Sequence, residues 1–294
     1  MTAARLLKLL SLSTSLLLPA CVAEPQSAGE LIAIDNTTKV HLLPIQSKDK
    51  VPEFAPPGAH LQFFGGPVLH NVHAFPIFWN PTVQFQGTLS PFYNDVPNSP
   101  LYDMLVQYSG IGRGSGLPAV VAGRSTRNIR DSDIRTEVLF EINQGTVPQP
   151  TDLNNYYPVQ LAPNMSVTAP DGSQSCVVFC AYHGTFQAQD VNGNVFNINY
   201  GVLPDLSGAC NGVCGGNTIV NNTTSVASHE LVEATTDPSV GLATFIGFPL
   251  AWYDPNYGEI GDICNGQQGT TTGNGHTYTI QLEFSNARND CVQN

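Results

Sequence analysis

The chain has 294 residues, of which 41% are hydrophobic and only 12% charged, and its formal net charge is −12. That length admits a sizeable core, and the lack of any linker-like shift in composition after residue 60 favours one large domain over two. So acidic a surface suits neither nucleic acid nor an anionic membrane, and beyond Arg135 the only basic residue is Arg288, so the C-terminal half carries a field that draws cations.

Arg5 and Lys8 precede an apolar run through Leu18 and the small residues Ala20 to Ala23, which is the layout of a secretory signal and not of a membrane span. Residues 1–23 are therefore read as a signal peptide and the mature protein as secreted. A lipid anchor on Cys21, within the imperfect lipobox Leu18-Pro19-Ala20-Cys21, is the alternative. Residues 24–58, rich in proline and lysine, are expected to form a loosely ordered leader or pro-segment, interrupted by a strand near residues 40–43, and residues 59–294 form the domain. Once Cys21 is set aside six cysteines remain, at 176, 180, 210, 214, 264 and 291. Export makes disulfides the expected state, with connectivity that spacing alone leaves open.

The runs at residues 61–69 and 73–79 read as two strands separated by Gly65-Gly66-Pro67, the second an edge or bulged strand because of Pro76. His70 and His73 are expected to be ordinary strand histidines. Residues 99–108 form a short helix with Leu101, Leu105 and Tyr108 on one side, and the glycine run at 110–116 a flexible loop. Asp131-Ser132-Asp133 caps a helix to about Asn143 that Gly145 stops. The apolar run from Cys176 continues as a strand to Gln189, turns at Asn192-Gly193 and returns as residues 195–200, a hairpin. Residues 278–285 alternate as a half-buried strand, with 270–275 as a loop before it. Sequons at Asn36, Asn164, Asn221 and Asn222 suit a glycoprotein of eukaryotic source. The last two fall at the start of the helix described next, and are read as unused.

That helix carries the chemistry. Thr223, Thr224 or Ser225 can cap it, and Asp237-Pro238 ends it. Four residues apart on one face, His229 and Glu233 can grip one ion, while Glu230 leans toward whatever the ion holds. A catalytic zinc takes three protein ligands and keeps one position open. Asp262 is the expected third ligand, because Gly258 and Gly261 let its loop approach closely and Cys264 tethers it; Glu259 is the alternative and Asp237 the third choice. Glu230 would then be the general base on the metal-bound water. So oxygen-rich a set lowers zinc affinity and admits Mn2+ or Ca2+. Alone, an H-E-x-x-E string arises by chance in on the order of a few per cent of chains this long, and His229 and Glu233 can also simply hydrogen-bond across one turn.

Five blocks, in order, resemble the phosphate-induced, EXORDIUM-like family: Gly65-Gly66-Pro67-Val68-Leu69 with Phe75-Pro76-Ile77-Phe78-Trp79; Phe179-Cys180-Ala181-Tyr182-His183; His229 through Pro238; Ala251-Trp252-Tyr253; and Glu259-Ile260-Gly261-Asp262-Ile263-Cys264. The similarity spans roughly residues 60–291 and departs in a longer connection from Pro238 to Trp252, read as an inserted loop over the site. The resemblance implies an extracellular protein linked to growth or the cell wall. It also implies a site role for His183, hydrogen-bonded to substrate or to a ligand carboxylate.

The expectation is a single α+β domain of zincin-like character, with a mixed sheet, a central site helix and long disulfide-tied loops. Two functions compete. One is a zinc metallopeptidase-like hydrolase acting on an extracellular peptide or similar amide. The other is a non-catalytic protein at the cell wall or in growth signalling, with a structural metal or none. A glycan-active enzyme ranks last, since Glu230 and Glu233 share one helix and cannot flank a glycosidic bond.

Overall fold

The computed structural model describes residues 30–34, 39–46 and 51–294; the expected signal peptide, Cys21 and the Asn36 sequon lie outside them. The strands in chain order are β1 (Ile32–Ala33), β2 (Val40–Pro44), β3 (Gln62–Phe63), β4 (His73–Ala74), β5 (Ile77–Phe78), β6 (Ser115–Gly116), β7 (Val120–Val121), β8 (Asn128–Arg130), β9 (Asn155–Gln160), β10 (Ser166–Thr168), β11 (Phe179–Gln189), β12 (Val195–Leu203), β13 (Trp252–Tyr253), β14 (Gln268–Gly273), β15 (His276–Gln281), β16 (Glu283–Ser285) and β17 (Asp290–Val292). The α-helices are α1 (Gln86–Asp95), α2 (Pro100–Met104), α3 (Asp131–Asn143) and α4 (Ile219–Thr236). The protein is thus mixed α+β, and no helix among the described residues is long and apolar enough to cross a membrane.

The β11–β12 hairpin organises the main sheet. Its turn falls at Asn192-Gly193 as the sequence predicts: Gly193 has φ 82°, and Asp190 Oδ1 accepts the backbone N–H groups of Asn192 and Asn194, both at 2.9 Å. On one side β12 runs parallel to β9, which runs parallel to β4 and β5. On the other side β11 pairs antiparallel with β2, in a register that sets His41 opposite His183. Every residue of β9 is buried, because helices cover both faces. Successive side chains of a strand point to opposite faces, so Tyr156 enters the core with Phe92, Leu101 and Leu231, and Tyr157 the core with Ile134, Val138 and Val159.

Helix α4 begins at Ile219, earlier than expected, with Thr218 as its cap accepting the Asn221 N–H at 3.4 Å. The polar run that follows can be helical and buried because its hydroxyls bond back to the preceding turn. Thr223 donates to Ile219 O at 2.8 Å, Ser228 to Ser225 O at 2.7 Å and Thr235 to Leu231 O at 2.7 Å. Asn222 is 3% exposed and its amide donates to Asn217 O, which leaves no room for a glycan.

The strand expected near residues 40–43 forms as β2, Val40–Pro44, within the main sheet, while several other local expectations change. The run at 73–79 divides into β4 and β5 at Pro76, and the run at 61–69 keeps only β3. Residues 99–108 form α2 and then a 3-10 turn at Leu105–Gln107. The glycine run at 110–116 is built in: Ser115 and Gly116 pair parallel with β4, and a Cβ at Gly116 would collide with the Tyr93 carbonyl. Residues 270–275 belong to the β14–β15 hairpin, whose turn carries Asn274 at φ 48° and Gly275 at φ 87°. Asn-Gly was the overlooked hairpin signal there.

Three disulfides form, Cys176–Cys210, Cys180–Cys214 and Cys264–Cys291. The first two fasten the start of β11 to the segment before α4. The third joins the 3-10 turn Asp262–Cys264 to β17 across 27 residues of sequence. Closing a loop of that size restrains the unfolded chain by about 3.5 kcal/mol. The double variant Cys264→Ala/Cys291→Ala is expected to lower unfolding free energy by about that amount in urea titrations; a loss below about 1 kcal/mol would refute the assignment of this bridge as a main anchor of the turn.

Candidate metal centre

Four elements converge on one cluster of titratable side chains. Helix α4 supplies His229, Glu230 and Glu233, β11 supplies His183, β2 supplies His41, and the loop after β13 supplies Glu259 and Asp262. That loop is set by a tight turn in which Asp254 and Gly258 exchange backbone hydrogen bonds at 2.8 and 2.9 Å. Its glycines are required by contact: a Cβ on Gly261 would strike the His229 imidazole and Glu233 Oε1, and one on Gly258 would strike the Asp262 carboxylate.

Three overlapping donor groups result, His229 with Glu233 and Asp262, His183 with Glu230 and Glu233, and His41 with Glu233 and Glu259. Glu233 belongs to all three. Its Oε2 stands 3.1 Å from His229 Nε2 and 3.6 Å from His183 Nδ1, and its Oε1 accepts the Asp262 backbone N–H at 3.1 Å. His183 Nδ1 lies 3.2 Å from Glu230 Oε2, and its Nε2 lies 3.6 Å from Glu259 Oε2. His41 reaches Asp262 Oδ2 with Nε2 at 2.5 Å and Glu259 Oε2 with Nδ1 at 3.2 Å.

The cluster is closed. His183, His229, Glu230, Glu233 and Glu259 are fully buried, and only His41 and Asp262 reach solvent, with side chains 18% and 13% exposed. Beside Asp262 opens a hollow of about 330 Å³ lined by Phe54, Pro56, Tyr257 and Asn265. The connection from Pro238 to Trp252 holds β2 in place, since Gly241 O accepts the Lys39 N–H at 3.0 Å, while its Phe245 and Phe248 face solvent.

Burial and charge work against each other here. Burial pushes Glu230 up, and the neighbouring imidazoles of His183 and His229 pull it part of the way back, to about 7. For His229 burial acts downward, but the carboxylates of Glu233 and Glu230 outweigh it and raise the imidazole to about 10. His41 and His183 are raised in the same way, over the opposing effect of burial, by Asp262 and Glu259 respectively. Glu233 is raised by burial. Burial acts upward on Asp262 too, but the charge and hydrogen bond of His41 hold it below its ordinary value.

His183 Nε2, His229 Nε2, Glu233 Oε2 and both Glu259 carboxylate oxygens are buried without a hydrogen-bond partner of good geometry. Such atoms are costly unless something pairs with them. A divalent cation would supply that partner. Gln281 sits behind His229, its amide nitrogen 2.8 Å from both Nδ1 and Gly261 O. Gln281 thereby fixes the orientation of the imidazole, with Nε2 facing Glu233.

The residues expected from sequence are thus brought together: His229, Glu233 and Asp262 form one donor group, Glu230 and His183 adjoin it, and Glu259 lies within the cluster as well. Asp237 does not join; its Oδ1 accepts the Ala251 N–H at 2.9 Å. His73 is elsewhere, 2.8 Å from Ser115 Oγ. Sequence reasoning missed His41, which only its register opposite His183 brings in, and also Gln281 and the fully buried Glu283. Comparison of the chain with protein-family models, with curated proteins and with solved structures finds no match.

Proposed function

We propose that this chain is an extracellular metal-dependent hydrolase of zincin-like organisation, with His229, Glu233 and Asp262 as ligands of a Zn2+ or Mn2+ ion and Glu230 as general base. The observation that carries the reading is the convergence on Glu233 of buried donor atoms, several of them without a hydrogen bond of good geometry. Bound there, the ion would act as a Lewis acid and lower the pKa of water toward neutrality. Glu230, raised to about 7 and steadied by His183, is suited to take up a proton and return it near neutral pH. Substrate, a peptide or similar amide, would approach from the hollow beside Asp262. Three disulfides are compatible with export. The blocks that resemble the phosphate-induced family supply six of the seven cluster residues.

A second reading, a structural metal in a non-catalytic cell-wall or growth-signalling protein, is favoured by one observation: Glu230 and His183 are sealed from solvent. Metal analysis combined with Glu230→Gln separates the two. The variant is expected to keep its metal and to lose on the order of 10²–10⁴-fold in hydrolysis of a peptide library. Purified protein without stoichiometric metal would end the first reading and leave a non-catalytic protein without a metal, and a variant as active as the parent would also end the first.

A further inference from the structure

We propose that the cluster holds two divalent cations, the second bounded by His41, His183 and Glu259, with Glu233 shared between the pair. This deepens the metal-centre reading and rests on it.

The first argument is one of donor count. His229, Glu233 and Asp262 already complete the three protein ligands that a single tetrahedral ion takes. Left over are His183 Nε2 and both oxygens of Glu259, all buried and without a hydrogen bond of good geometry, and His41 Nδ1 at 3.2 Å from Glu259 Oε2. Donors about 2.0–2.2 Å from a common tetrahedral ion stand about 3.3–3.6 Å apart. The His183 Nε2 to Glu259 Oε2 distance of 3.6 Å and the His41 distance fall at or near that spacing.

The second argument is tautomeric. An imidazole that ligates a metal commonly donates its other N–H to a carboxylate, which fixes the free lone pair. His183 faces Glu230 with Nδ1 at 3.2 Å and Glu259 with Nε2 at 3.6 Å. His41 faces Asp262 with Nε2 and the same Glu259 with Nδ1. Each imidazole of the second position thus has a carboxylate to hold the proton on one nitrogen while the other is turned to Glu259.

The third argument is charge. With neutral imidazoles, the carboxylates of Glu230, Glu233, Glu259 and Asp262 place four negative charges in one largely buried volume. One divalent cation neutralises half of that charge, and the other half falls to whatever binds between His41, His183 and Glu259, two protons or a second cation. Uncompensated buried charge is strongly unfavourable. A pair of ions bridged by one carboxylate is a known arrangement for clamping both sides of a reacting centre.

The test uses the full chain, stripped with a chelator and reloaded with Zn2+ for elemental analysis or with Mn2+ for electron paramagnetic resonance. Two equivalents of metal per chain and an exchange-coupled manganese spectrum are expected. Glu259→Gln is expected to bring the count to one and to leave the spectrum of an isolated ion. One equivalent in the parent protein, with an isolated-ion spectrum, overturns the second position and leaves the first standing. No bound metal overturns both. The parent measurements decide the matter even where the variant fails to fold.

Discussion

Glu233→Gln is expected to lower metal affinity by at least about two orders of magnitude while leaving the metal-free protein as stable as the parent or more so. The two effects separate because Glu233 does two opposed things. It is the carboxylate common to all three donor groups, so its loss removes a direct ligand, which exceeds the 10–100-fold loss typical of the groups behind a ligand. In the metal-free protein, however, burial raises the pKa of Glu233, and although the His229 imidazole pulls it back, the carboxylates of Asp262 and Glu259 add to the rise. Glutamine keeps the shape, can still accept the Asp262 N–H through Oε1, and removes one buried negative charge. A purely structural His229–Glu233 hydrogen bond predicts the reverse, a loss of about 1.5–3 kcal/mol with or without metal. Thermal unfolding of parent and variant in chelator and in Zn2+ reads both quantities. Destabilisation of the variant in chelator would remove the metal-centre interpretation.

How much of this centre is legible without coordinates follows from how local each signal is. His229, Glu230 and Glu233 can be read because helical spacing alone puts them together, and Asp237-Pro238 marks the end of the helix. The 258–264 loop can be read because Gly258 and Gly261 announce a close approach, and the structure puts the Asp262 carboxylate against one and the His229 ring against the other. The β11–β12 hairpin follows from Asn192-Gly193. His41 cannot be read in this way. Val40-His41-Leu42-Leu43 carries only an ordinary strand pattern, and its role depends on a register with β11 fixed far away in sequence. The start of α4 is misjudged for a different reason. Threonine, asparagine and serine are weak helix formers in isolation, and tertiary burial with back-bonded hydroxyls overrides that preference. The glycines at 114 and 116 illustrate the same limit, since close packing and flexibility use the same residue, and only the Val72 and Tyr93 backbones beside them distinguish the two.

The metal-free protein is expected to lose stability as pH rises from about 5 to 9, and the metal-loaded protein to gain it. Glu230 and His229 both have folded pKa values above their ordinary ones, to about 7 and about 10, and those of His41 and His183 are raised as well. Between the ordinary values of about 4.3 for a glutamate and 6.5 for a histidine and these raised ones, the folded state binds more protons than the unfolded chain. Its advantage is then complete at low pH and disappears as pH climbs through the raised values. The histidine contributions persist furthest, into the alkaline range. Asp262, held low by His41 despite burial, acts oppositely, but its contribution falls away only in acid, below its ordinary value and outside this window. Ligation reverses the slope because the ligands must be deprotonated, so metal affinity grows as pH rises. An ion at 100 times its dissociation constant adds about 2.7 kcal/mol, comparable with the few kcal/mol at stake in the proton linkage. Midpoints measured across pH 5–9 in chelator and in excess Zn2+ should therefore diverge as pH increases. Groups outside the centre titrate alike in the two series, so parallel curves would mean that the ion and the protons do not compete for the same side chains, and the centre built on Glu233 would have to be abandoned.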